Sequence, residues 1–234
     1  MNGIWVTAFQ NVCWIAKQTR LEFGAYWNAK WWYSLRLSLW VAWLGSSPNS
    51  AVRRYLAETA PQKLTRGGSL PDDCGDLTYG ETLPGTAYQL LQWAGASDQK
   101  TVVDLGCGRG VIPLVAGAAF GAGAVGCDII SEYVVRASKA AKHMGVDDRV
   151  SFKVLNFTKE PLPKGDIYFI TPTCLSKRTW LELQRQLHET TVRGNMVFSV
   201  SRALERETYD WEYKGNKSLP FTWDNAKVYI YIRK

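Results

Sequence analysis

The chain has 234 residues, 46% hydrophobic and 21% charged. That is the composition of one large globular domain, or one domain with an extension, and it excludes pervasive disorder, a collagen-like repeat and a disulfide-built miniature scaffold. The net charge of +7 allows attraction to nucleic acid, anionic lipid or an acidic protein without choosing among them.

The first 60 residues stand apart. Seven of the 11 tryptophans lie within residues 1–43, and residues 1–60 carry six bases against two acids, more than half of the net charge. The run Trp31–Leu44, WWYSLRLSLWVAWL, is 14 residues long and contains Arg36. It is too short for the roughly 20 residues that cross a bilayer. Interfacial tryptophans beside Lys30 and Arg36 suit a helix lying in a membrane surface, and packing on the domain that follows is the equal alternative. Ser34, Arg36 and Ser38 alternate in a strand-like way that argues against a helix. Polar Gln10, Asn11, Lys17 and Gln18 interrupt any signal-like apolar run near the start.

Gly45–Ser50 is a break, with Asn49 or Ser50 placed to cap a helix over Ala51–Thr59. Residues 61–98 read as a loop followed by a helix over Thr86–Ala94, for which Thr82 or Thr86 is a candidate cap. From residue 99 the pattern becomes regular. Strands are predicted at Thr101–Leu105, Ala124–Cys127, Val150–Leu155, Asp166–Ile170 and Asn195–Val200, with helices at Val111–Phe120, Glu132–Met144 and Lys177–Glu189. Strands separated by helices of this length build a parallel α/β sheet covered on both faces. Strand-like residues near Glu207–Tyr213 and at Ala226–Ile232, with no helix between them, end the sheet in an antiparallel hairpin.

Five widely spaced cysteines without a CxxC pair, and only two histidines, His143 and His188, support neither a metal site nor a disulfide framework. The setting expected is reducing and cytoplasmic. Both histidines fall in predicted helices away from the loops that carry the motifs, so they read as surface or packing residues.

The chemistry concentrates at Val102-Val-Asp-Leu-Gly-Cys-Gly-Arg-Gly-Val111, an apolar strand that ends in a glycine-rich turn and opens a helix. A dinucleotide fingerprint is not met, because Val111 stands where its last glycine belongs. Asp104, two residues before Gly106, has no use in a turn that binds phosphate. The next strand ends in Asp128, 20 residues after Gly108, at the spacing where a carboxylate can accept bonds from ribose hydroxyls.

The sequence Asp-Leu-Gly-Cys-Gly-Arg-Gly resembles the first motif of class I S-adenosylmethionine-dependent methyltransferases. The resemblance implies a doubly wound, mostly parallel seven-stranded sheet; the Trp-rich segment, which it does not cover, is expected to be a helical N-terminal extension. It also implies that Gly106, Gly108 and Gly110 shape the turn under the methionine part of the cofactor. Asp104 would help to hold the cofactor's amino group, Asp128 would bind ribose, and Asn156, at the end of the third strand, would lie beside adenine. Charge agrees, since S-adenosylmethionine carries a sulfonium and an ammonium group and no phosphate.

Upstream, Leu77-Thr-Tyr-Gly-Glu-Thr-Leu-Pro84 resembles the Y-G-E loop of non-SET protein-lysine methyltransferases of the disruptor-of-telomeric-silencing type and their smaller bacterial and mitochondrial relatives. There the loop covers the cofactor, which implies cofactor contacts for Tyr79, Gly80, Glu81 and Thr82. The segment after the fourth strand, Ile170-Thr-Pro-Thr-Cys-Leu-Ser176, is similar to the family's Asn/Asp-Pro-Pro-Tyr segment but has Thr171 in the first position, the candidate beside the attacking nitrogen. The resemblance covers residues 77–234 and implies methyl transfer to a protein lysine by direct displacement; a nucleic-acid partner is not expected. Two alternatives stay open: methylation of a lipid or small hydrophobic molecule at a membrane, and a non-catalytic binding module that keeps the cofactor fold.

Overall fold

The computed structural model describes residues 30–59, 80–205 and 209–234. Its centre is β1 (Thr101–Leu105), where Val102, Val103 and Leu105 are buried. β1 pairs in parallel with β2 (Gly123–Asp128) on one side and β4 (Ile167–Ile170) on the other. β3 (Val150–Val154) extends the sheet beyond β2, and β5 (Met196–Val200) extends it beyond β4, both in parallel. The chain then turns back. β7 (Asn225–Arg233) runs antiparallel to both β5 and β6 (Trp211–Pro220), giving seven strands in the order β3-β2-β1-β4-β5-β7-β6.

Successive strand residues point to opposite faces, so the sheet divides its apolar side chains between two cores. Val102, Ala124, Ile167 and Phe169 join one core, while Val103, Cys127, Tyr168 and Ile170 join the other. The first core receives α3 (Pro84–Trp93), α4 (Val111–Phe120) and α5 (Ser131–Met144); the second receives α6 (Lys177–Thr190) through Trp180, Leu183 and Leu187. Ser176 begins α6 by accepting a hydrogen bond from the Thr179 amide at 3.1 Å, which satisfies one of the free amides of the first turn.

At the Trp-rich run the helical expectation holds and the strand-like alternation does not decide. Residues Lys30–Ala42 form helix α1, despite the alternation of Ser34, Arg36 and Ser38. Leu35, Leu39 and Trp43 recur at helical spacing and are buried in the first core, Ser38 is buried beside them, and the Arg36 guanidinium lies over the Trp32 ring at 4.6 Å. Tertiary burial of that face outweighs the local polar alternation. Helix α2 (Pro48–Thr59) begins three residues earlier than expected because Ser47, not Asn49 or Ser50, is its cap: its hydroxyl accepts from the Ser50 amide at 3.3 Å, and Pro48 occupies the first helical position, where no amide is needed.

Both helices are fastened to α5. Arg136 donates to the Ala42 carbonyl at 2.6 Å and to Glu132 at 2.7 Å, with its guanidinium 4.9 Å from the Trp43 ring. Glu132 also accepts from Ser46 and Arg54, and Tyr133 donates to the Pro48 carbonyl at 3.1 Å. Burial acts to raise the Glu132 pKa, but the bonds from Arg54, Arg136 and Ser46 prevail and hold it below the ordinary glutamate value. Residues 30–59 are therefore packed on the domain. The remaining tryptophans of the N-terminal extension, Trp5, Trp14 and Trp27, lie outside the described residues.

Candidate active site

Where β1 meets α4 the chain makes a turn with three left-handed glycines, Gly106, Gly108 and Gly110, at φ of +81°, +51° and +82°. The amides of Gly106 and Cys107 both donate to the Cys127 carbonyl, at 2.8 and 2.9 Å, which ties the turn to the end of β2. Asp128 completes that tie: one carboxylate oxygen accepts from the Gly108 amide and the other from the Ile130 amide, each at 2.9 Å. A side chain at Gly106 would meet no protein atom within 4 Å, so the space above that residue is open. At Gly110 the opposite holds. A Cβ there would lie 2.5 Å from the Phe152 ring, so this glycine serves packing against β3 and the start of α4.

The open space is a cleft lined by Gly80, Glu81, Thr82, Asp104, Gly106, Cys107, Gly108, Val111, Ile112 and Thr171. The fold thus brings together seven of the residues singled out in the sequence. Asp128 is buried just behind the turn, and Gly110 and Asn156 do not line the cleft. The Asn156 side-chain oxygen is engaged in a turn, accepting from the Thr158 amide at 3.0 Å and the Thr158 hydroxyl at 2.6 Å. Tyr79 lies outside the described residues. Neither Thr82 nor Thr86 caps α3: Leu83 holds the cap position, and the Thr86 hydroxyl donates to the Pro220 carbonyl.

Electrostatically the cleft is poised for a cation. Burial, followed by the charge of Asp128, pushes the Asp104 carboxyl up to about 8, and no hydrogen bond opposes the rise. Burial likewise pushes Asp128 up to about 6 against the lowering effect of its amide donors. Two buried carboxyls side by side, one without a donor, form a site that a positive ligand would relieve. The flanking thiols are inert: burial and the nearby carboxylates hold Cys107 well above its ordinary value, and burial pushes Cys127 up to about 12.

Sequence reasoning missed one side chain inside its own motif. Arg109, between two of the glycines, forms a buried two-pronged ion pair with Glu81, Nε to Oε1 at 2.7 Å and Nη2 to Oε2 at 3.0 Å. The pair joins the Gly80–Thr82 segment to the glycine-rich turn. An arginine in a turn otherwise built of small residues was the available signal.

Comparison with known proteins agrees with this geometry. A family model described as "Methyltransferase domain" matches residues 96–204. Residues 96–204, a little under half of the chain, therefore resemble a methyltransferase domain. The seven-stranded sheet is the class I, Rossmann-like version of that fold. Ribosomal protein L11 methyltransferase of Enterobacter sp. (strain 638) is 33% identical over 93 residues, 39% of this chain and 31% of its own length. The protein of the same name from Escherichia coli O8 (strain IAI1) is 34% identical over 76 residues, 32% of this chain and 26% of its own. The chain thus spans about a third or less of the curated relatives it matches.

Among solved structures, an RNA methyltransferase from Salinibacter ruber in complex with S-adenosyl-L-homocysteine superposes with a TM-score of 0.55 at 24% identity, over 64% of this chain and 92% of that one. Geranyl diphosphate C-methyltransferase from Streptomyces coelicolor A3(2) gives 0.54 at 14% identity, over 65% of this chain and 79% of that one. The methyltransferase domain's cofactor, S-adenosylmethionine, meets a fitting cleft here: its ammonium and sulfonium suit a donorless buried Asp104, and its bulk suits a turn bare of side chains at Gly106.

Proposed function

We propose that the protein methylates the side-chain amine of a lysine in a protein substrate, with S-adenosylmethionine as methyl donor. The observation that carries the donor is Asp104, a buried carboxyl without a hydrogen-bond donor that faces the cleft above the glycine-rich turn. The acceptor rests on the Y-G-E segment at Tyr79–Glu81 and on relatives whose name specifies a ribosomal protein. When bound, the cofactor supplies a methyl carbon activated by the adjacent sulfonium.

The protein's task is to bind, orient and exclude water. Asp104 would accept from the cofactor's ammonium, and Gly106 leaves room for a ligand against the backbone. The lone pairs of Asp128 not used by the Gly108 and Ile130 amides would accept from ribose hydroxyls. Thr171, on the cleft wall after β4, is the polar residue placed to orient an entering amine. Asp128→Ala should weaken cofactor binding by about 1.5–3 kcal/mol, the range for hydrogen bonds to a charged group. Calorimetry giving wild-type affinity would remove Asp128 from the site.

The acceptor is tested by incubating the full chain with methyl-labelled cofactor and a cell lysate, then hydrolysing the labelled protein to amino acids. Label in N-methyl-lysine supports the proposal. Label confined to the lipid extract, to RNA or to another amino acid overturns it.

One observation favours a lipid or small hydrophobic acceptor at a membrane as a second reading. Tyr33, Leu37, Trp40 and Leu44, at spacings of four, three and four residues, are each more than half exposed along one side of α1 and the turn after it. On this reading the contact is peripheral, on the cytoplasmic face; among the described residues no helix is long and apolar enough to cross a membrane. On this reading the full chain sediments with phosphatidylglycerol-containing vesicles, salt weakens the binding as the Debye length falls from about 10 Å at 0.1 M to 3 Å at 1 M, and a Leu37→Ser/Trp40→Ser variant stays in solution. Equal sedimentation of the two proteins would clear α1 of the role.

A further inference from the structure

The turn between β6 and β7, Phe221–Asp224, belongs by sequence to the far end of the chain, yet it lies against the cleft-lining segment Gly80–Thr82. Among the described residues three contacts join them, and a fourth lies beside them. The Glu81 amide donates to the Thr222 hydroxyl at 3.0 Å, and the Thr222 amide donates to the Glu81 carbonyl at 3.2 Å. One turn further along, the Thr86 hydroxyl donates to the Pro220 carbonyl. The indole of Trp223, stacked on Phe221 with ring centroids 4.8 Å apart, covers Gly80 so closely that a Cβ there would lie 2.7 Å from the ring.

Glu81 therefore sits at the middle of a chain of contacts. Its backbone is held by Thr222 and its carboxylate by Arg109 of the glycine-rich turn. A segment that lines a binding cleft loses less freedom on binding when it is already held in place. Two of its supports, Thr222 and Trp223, come from more than 140 positions later, and neither has a place in the glycine-rich motif.

We propose that Thr222 and Trp223 are positioning residues for the cofactor, forming a latch that holds Gly80–Thr82 against the glycine-rich turn. The inference rests on the reading of the cleft as the S-adenosylmethionine site. Thr222 acts by giving the Glu81 amide its acceptor. Trp223 acts by shape, since its ring fits only against a residue without a side chain.

The test measures dissociation of S-adenosylhomocysteine from the full-length protein by stopped-flow fluorescence, together with amide exchange of residues 80–84 in the ligand-free protein. Thr222→Val, which keeps the shape and removes the acceptor, should speed dissociation about threefold to tenfold, the effect of one ordinary hydrogen bond, and should raise exchange at residues 80–84. Thr222→Ser should restore both. Gly80→Ala should weaken binding, and combining it with Trp223→Ala should weaken it by less than the two single effects added, because the second change removes the ring with which the new methyl collides.

Wild-type kinetics and exchange in Thr222→Val, or additive effects at Gly80 and Trp223, would overturn the latch while the cofactor reading stands. Absence of binding by the wild-type protein would overturn the cofactor reading itself, and the latch with it. A global fall in melting temperature without a local change in exchange would assign Thr222 to general stability and likewise overturn the latch.

Discussion

Asp104→Asn should make the ligand-free protein more stable and the cofactor complex far weaker. The carboxyl is buried, has no donor and is held up to about 8, against an ordinary value near 3.8. A group raised in this way supports the fold fully below about pH 4 and gives up that support progressively as pH rises to about 8. At neutral pH it is a cost to the folded state that an amide would not impose. Urea unfolding of Asp104→Asn at pH 8 should therefore show a gain on the order of 1–3 kcal/mol over wild type, and at pH 4 the gain should vanish. Affinity for S-adenosylmethionine should fall tenfold or more, because the ammonium loses its charged partner. An asparagine variant that is less stable at pH 8, or that binds as well as wild type, would contradict this account.

The second large effect is expected at Glu81. Its ion pair with Arg109 is buried on both sides, so Glu81→Ala would break a buried, two-pronged pair, a change that costs about 3–5 kcal/mol. Removing both charges should cost much less: Glu81→Leu combined with Arg109→Met should recover most of the lost stability, as apolar replacement of buried pairs often does. Cofactor affinity should not recover in the double variant, since the two-pronged link from the Gly80–Thr82 segment to the turn would still be missing. Equal unfolding free energies for Glu81→Ala and wild type would mean that solvent reaches Arg109 and that the pair is not a structural joint.

Much of this was legible in the sequence, for identifiable reasons. β1 and α4 have the expected bounds because five strand residues and ten helix residues are nearly all apolar and are separated by glycines. Asp104, Gly106, Gly108 and Thr171 meet at one cleft because each lies at or just beyond the carboxyl end of a parallel strand, where open α/β sheets place their ligands.

What was not legible has a common cause, contact between distant parts of the chain. The strand predicted near Glu207–Tyr213 is β6, Trp211–Pro220, whose residues WEYKGNKSLP look polar because it is an edge strand with a bulge at Tyr213–Gly215 and Gly215 at φ +116°. Ser34 and Ser38 gave α1 a strand-like look, which burial of Leu35, Leu39 and Trp43 in the first core outweighs. The partnership of Glu81 with Thr222 spans 141 residues and has no sequence signature. The turn that the Asn156 side-chain oxygen closes with Thr158 was equally out of view.

The central claim is that Asp104 binds the cofactor's ammonium in the cleft above the glycine-rich turn. It is tested most directly by calorimetric titration of S-adenosylhomocysteine, which keeps that ammonium, into the wild-type protein at pH 6.5 in two buffers of different ionisation enthalpy. Asp104 is largely protonated there when the site is empty and must ionise to pair with the ammonium, so one-to-one binding should release protons, and affinity should tighten as pH is raised from 6 towards 8. Binding without proton release, or binding that weakens over that range, would contradict the assignment of Asp104.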